Sequence, residues 1–130
     1  MGLQEKRRIK MLQDEVLPSV RDEIKSLCGA DIDWEVDWES LAGSMEALDN
    51  IEYQGIRRVL DVLRRICYDD IGKEAVQAGL KKVVVKNHES AGDKKIDFRD
   101  AVLTVDGAWG AGWDGYPAED ELKKILEDGL

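Results

Sequence analysis

From residue 31 to residue 52 the sequence holds no lysine, arginine or histidine. Eight acids fall in that segment, which carries a net charge of −8. Residues 1–30 sum to +1, residues 53–96 to +4 and residues 97–130 to −6, for a total of −9. A chain this acidic is repelled by phosphate, so nucleic acid is not an expected partner. A basic protein is favoured by the same field, chiefly through its rate of association.

Other shortages narrow the possibilities further. There is one histidine, His88, in 130 residues. His88-Glu89 lacks the second histidine of a zinc-protease H-E-x-x-H pattern. The two cysteines, Cys28 and Cys67, form no C-x-x-C pair, which removes the usual metal-ribbon and redox motifs. Each closes an apolar helical stripe and is expected as a buried, reduced thiol; a disulfide requires that the two meet in space. A serine-nucleophile elbow and a P-loop are missing too. No apolar run approaches the ~20 residues of a membrane span. The opening MGLQEKRRIKMLQDE has charge but no secretory apolar core. The expectation is a cytoplasmic protein with no membrane contact, no cofactor and no metal.

Hydrophobic residues make up 43% of the chain and charged residues 36%, enough apolar material for one folded domain over residues 1–130. Residues 1–29 read as a helical region. Ile9, Leu12, Val16, Val20, Ile24 and Leu27 recur at steps of three and four. Pro18 interrupts that stripe and predicts a kink or two helices in series, and Gly29 is a natural stop. Residues 40–79 read as helices. Leu41, Met45 and Leu48 lie on one, capped by Asp37 or Ser40. Asp49 and Glu52 have capping-box spacing ahead of an amphipathic helix over about 50–68, with Ile56, Leu60, Leu63 and Cys67 inward. A shorter helix, 71–78, follows Asp69 or Asp70.

Residues 80–105 change texture. LKKVVVKN is β-branched and reads as a strand, HESAGD as a turn, and KKIDFRDAVLTV as a second strand with a bulge near Arg99-Asp100. The two strands are expected to pair as a hairpin. Residues 106–116 form a glycine-rich loop, and Pro117 opens a last helix over 117–128. The sum is an α+β fold: helices packed on a small, mainly antiparallel sheet of about three strands.

The third strand comes from IDWEVDWE, within residues 31–39. Apolar and acidic residues alternate there for eight positions, which is the period of a strand with one wet face. Ile32, Trp34, Val36 and Trp38 are expected inward; Asp33, Glu35, Asp37 and Glu39 face water. Same-side carboxylates on a strand stand about 7 Å apart, too far for neighbours to chelate one ion. They form either a solvated face, neutralised by Lys82, Lys86, Lys94 or Lys95, or a docking edge for a basic partner.

The loop Gly110-Ala111-Gly112-Trp113-Asp114-Gly115 matches G-x-G-x-x-G, the dinucleotide fingerprint. Its context argues against that use. Too little chain follows to complete a βαβ unit, Asp106 and Asp114 oppose a pyrophosphate, and Pro117 postpones the helix. What remains is a flexible loop whose Trp109 and Trp113 either pack on the sheet or anchor a partner. The basic run KRRIK, 6–10, reads as the polar face of the first helix.

These features point to a small acidic protein-binding module of the inhibitor, immunity or adaptor kind. It would dock a basic partner through Asp33, Glu35, Asp37, Glu39, Trp109 and Trp113. The alternatives are a small enzyme or ligand-binding protein at loop 106–116, using Asp106, Asp114 or His88, and a structural homodimer.

Overall fold

The computed structural model describes residues 2–130. Helix α1 runs from 3 to 28 without a break, as α-helix over Leu3–Met11, one wide π-turn over Leu12–Val16 and α-helix over Leu17–Cys28. The π-turn is the answer to Pro18. Proline has no N–H to give and its ring crowds the carbonyl four residues back. Widening one turn, with the Leu17 N–H bonded to Leu12 O, lets the helix pass the proline instead of dividing there. The helix stops at Gly29, in the left-handed conformation at φ 73°.

Strand β1 is Asp33–Val36 and a short helix, α2, is Trp38–Leu41. The alternating stretch is therefore cut short. Asp37 accepts a hydrogen bond from the Ser40 N–H and starts α2, so Trp38 and Glu39 are helical, not strand. Helix α3 covers 45–66 as Met45–Ile51, a second π-turn over Glu52–Ile56, and Arg57–Ile66. Its N-cap is Ser44, which accepts from the Ala47 N–H. The Asp49–Glu52 pair thus lies inside a helix and caps nothing. Helix α4 is Asp70–Gly79, capped by Asp69, and helix α5 is Glu119–Gly129, starting two residues after Pro117.

Strands β2 (Lys82–Asn87), β3 (Lys95–Arg99) and β4 (Val102–Gly107) complete a four-stranded sheet of order β1-β2-β4-β3. The sheet is mixed: β1 with β2 and β2 with β4 are parallel, and only β3 with β4 is antiparallel. This corrects three expectations. The described residues form four strands, not about three. The sheet is not mainly antiparallel. The strand at 80–87 does not form a hairpin with its successor; the hairpin lies inside 95–107. Asp100 and Ala101, at φ 53° and 65°, make a full two-residue turn where a bulge was anticipated. Two successive positive φ values match the right-handed twist of the flanking strands, so this turn closes a tight hairpin.

Helices cover one face of the sheet. Val36, Val83, Val85, Leu103 and Val105 are buried on that side, against Leu12, Val20, Ile24, Leu63 and Leu122 from the helices. On the other side Val84 and Thr104 are half-buried and Glu35 and Lys86 exposed. Parallel strands are usually covered on both faces. This uncovered face stays wet through paired charge: Lys82 with Glu35 at 3.2 Å and Arg99 with Asp97 at 2.9 Å.

One acid is buried. Glu52, 6% exposed in the second π-turn, meets Arg57 at 2.7 Å and Arg8 of α1 at 3.5 Å. The carboxylate raises the Arg57 pKa through that hydrogen bond. Charges taken out of water need such partners, and here they tie α1 to α3. Finally, Cys28 and Cys67 are not two separate thiols. They meet with Cα atoms 5.4 Å apart, as a disulfide joining the ends of α1 and α3.

Candidate functional site

Because β1, β2 and β4 run the same way, the loops after Val36, Asn87 and Gly107 leave the sheet at one end. In sheets of this kind, ligands and partners meet the carboxyl ends of the strands, where loops converge on a rigid base.

Asn87 joins the three exits. Its backbone N–H donates to Ser40 Oγ at 3.0 Å and its Nδ2 to Ser40 O at 2.9 Å. Its Oδ1 accepts from the Trp109 N–H at 3.0 Å. Ser40 Oγ in turn donates to Asp37 O. One amide side chain therefore fixes the loop after β1 to the loop after β4. The His88 N–H, donating to Gly107 O at 2.8 Å, adds the loop after β2.

Trp109 is the centre of this base. It is fully buried, and its Nε1 donates to Lys86 O at 3.0 Å. Asn50 of α3 donates to Trp109 O at 2.9 Å. Two glycines make room for the ring. A Cβ at Gly55 would lie 2.8 Å from it and one at Gly107 2.6 Å. This explains a glycine in the middle of α3, which is otherwise unfavourable. Tyr116 stacks on Trp109 at 6.3 Å between ring centres. The loop closes on itself through Ala108 N–H to Gly115 O at 2.9 Å.

With Trp109 turned in, Trp113 is turned out and is 82% exposed. Acids surround that end of the sheet: Asp37 and Glu39 after β1, Glu89 after β2 and Asp114 after β4. Glu39, Glu89 and Asp114 are all exposed. A polar pocket of about 280 Å³ is lined by residues of these exits, among them Ser40, Asn87, His88, Glu89 and Gly110. His88 Nε2 sits 3.3 Å from Asp106 Oδ2, a close pair without the alignment of a hydrogen bond. The pocket's hydroxyls are occupied in capping: Ser40 bridges Asp37 and Asn87, and Ser44 caps α3. No group of three or more potential metal ligands occurs among the described residues.

The anticipated docking residues separate into three groups. Asp37, Glu39 and Trp113 belong to this rim. Asp33 and Glu35 lie further back on β1 and already have bases beside them. Lys82 of β2 holds Glu35. Asp33 is held by Arg21 of α1 at 3.1 Å. Arg21 also takes Asp31 at 2.6 Å. The hydrogen bond from the guanidinium holds the Asp31 carboxyl below its usual value, and the carboxylate raises that of Arg21. Trp109 is the buried base under the rim. Of the four lysines considered as neutralisers, one serves; Lys94 donates to Tyr116 O instead. Sequence reasoning missed Arg21, whose partners lie across a turn, and Asn87, a lone amide at the end of a β-branched run. No known protein family, curated protein or solved structure matches the chain.

Proposed function

We propose that the chain is a small acidic protein-binding module that docks a basic protein partner at the rim of β1, β2 and β4. It would act by occlusion or bridging, as an inhibitor, an immunity-type protein or an adaptor does. The observation that carries this reading is the contrast between the two tryptophans. Trp109 is locked by a hydrogen bond at each polar atom, and Trp113, four residues later, is held out in water. An aromatic ring on a pre-formed loop loses little freedom on binding and makes a good anchor. Each of the three strands is followed by an exposed acid, Glu39, Glu89 and Asp114, and these favour a basic counterpart. Asp33 and Glu35 contribute less, since each already has a cationic partner. The buried disulfide fits an oxidising compartment better than the reducing cytoplasm that free thiols suggested.

The test is site-specific photo-crosslinking in the native host. A photoreactive side chain at exposed Ala111 on the rim should trap one basic protein, with loss of the adduct at high salt and in Trp113→Ala. The same side chain at exposed Ser26 on α1 is the control. No adduct at 111, or the same adducts from both sites, would overturn the reading.

A second reading rests on the His88–Asp106 pair beside the pocket. A histidine next to a carboxylate has the composition of an acid–base unit. It predicts a thermal shift with some small ligand or metal, abolished by His88→Ala.

A further inference from the structure

The corner between α3 and α4 displays apolar side chains that the fold does not use. Tyr68 is 80% and Ile71 79% exposed, in the segment Tyr68-Asp69-Asp70-Ile71-Gly72. Scattered apolar residues on a surface are ordinary, but these two edge a groove of about 330 Å³ whose floor is Ile66, Ala75 and Leu130.

The corner is built to be stiff. Cys67, immediately before Tyr68, is tied to Cys28 by the disulfide. Asp69 caps α4 by accepting from the Gly72 N–H at 2.8 Å. Gly72 lies so close to Ile66 O that a Cβ there would overlap the carbonyl. No side chain larger than hydrogen fits without opening the corner. Tyr68 and Ile71 are thus presented outward from a backbone pinned on both sides.

The helix next to the groove has two parallel stripes. Ile71 and Ala75, one turn apart, face the groove. Asp70 and Glu74, also one turn apart, form the adjacent stripe, and both are exposed. The acids at the end of α5 are occupied, Glu127 by Lys123 and Asp128 by Lys124. Asp70 and Glu74 pair with nothing among the described residues. Two like charges at this spacing repel each other modestly, and a cation between them would relieve it. A ligand lying along α4 meets an apolar track with a negative track beside it. That pattern is matched by a helix with an aliphatic stripe flanked by lysine or arginine. A second copy of this chain would bring its own acidic stripe to the groove.

We propose that the Tyr68–Ile71 corner, with the acid stripe Asp70–Glu74 beside it, is a docking groove for a basic amphipathic helix of a partner protein. It is separate from the Trp113 rim, and together the two surfaces give the chain the form of a bridge.

The probe is a synthetic leucine–lysine amphipathic helix, titrated into the isotopically labelled full chain and followed by amide chemical shifts. Saturable shifts are expected at Tyr68 to Ala75 and at Leu130, weakening as salt rises. Tyr68→Ser with Ile71→Ser should weaken that set about tenfold or more. Asp70→Lys with Glu74→Lys should do the same while leaving the apolar track intact. Trp113→Ala should leave it unchanged, which separates failure here from failure at the rim. Three results would overturn the proposal. One is equal binding of a leucine–glutamate helix, one is shifts confined to the rim, and one is a corner that broadens with protein concentration alone as the chain sediments as a dimer.

Discussion

Reducing the bond between Cys28 and Cys67 should cost this protein a large part of its stability. The bond spans a sequence separation of 39 residues, so breaking it releases a long loop in the unfolded chain. On the chain-entropy relation a loop of that size corresponds to about 4 kcal/mol. Spread over a domain of this length, that loss lowers the melting temperature by about 14 °C. Both sulfur-bearing residues are buried, Cys28 at 0% and Cys67 at 4% exposure, so native protein should resist mild reductant and give way only as it opens. The assay is a pair of calorimetric melts, oxidised and after reduction in denaturant and refolding, with a thiol titration beside them. No thiol should react in denaturant before reduction and both cysteines should react afterwards. Two reactive thiols in denaturant without reductant, or superimposable melts, would refute the argument. The reduced form should also lose order first at the Tyr68 corner, whose N-terminal anchor is Cys67.

Two further outcomes follow from the packing and the charges. Trp109→Ala should destabilise by about 3–5 kcal/mol, because it empties a fully buried site and strands the Lys86 carbonyl; Trp113→Ala should stay within about 0.5 kcal/mol, and urea melts compare the two. The lowered Asp31 carboxyl contributes stability that is fully present above the ordinary value of 3.8 and is lost as pH falls through the lower folded value; Arg21→Ala should therefore flatten the fall in denaturation midpoint as pH drops below 3.8, and parallel curves for the two proteins would contradict it.

The helices were legible because burial imposes a period that the sequence must carry. Val20, Ile24 and Cys28 repeat it in α1, and Leu60, Leu63 and Cys67 in α3. The short reach of β1 was hidden because Asp37 serves two readings. It continues the alternation and it also caps a helix, and the cap decided. The hairpin was hidden because Asp100-Ala101 lacks the asparagine–glycine signature of such turns. Its phase reversal looked like a bulge in one strand. Parallel pairing leaves no local mark at all. Trp34 lies opposite Val83, and Val83 opposite Leu103, across whole intervening elements. For the same reason the acidic row could be seen in the sequence, but its neutralisation by Arg21 and Lys82 could not. The Tyr68 corner had one visible signal, a tyrosine and an isoleucine that fit neither flanking apolar stripe. Glu52 had none, since a buried acid reads like any other until its arginines are placed.

The clamp made by Asn87 has a consequence for the order of assembly. The β3–β4 hairpin needs only neighbouring chain and can form early, whereas the parallel pairings must first close long loops. The three bonds of Asn87 reach Ser40 on one side and Trp109 on the other. They can be made only when both distant segments have arrived. The rim should therefore be among the last parts of the molecule to form, and the docking surface proposed there would be missing until the fourth strand is in place. Recognition by a partner would in that way report completed folding, and a half-formed chain would go unbound.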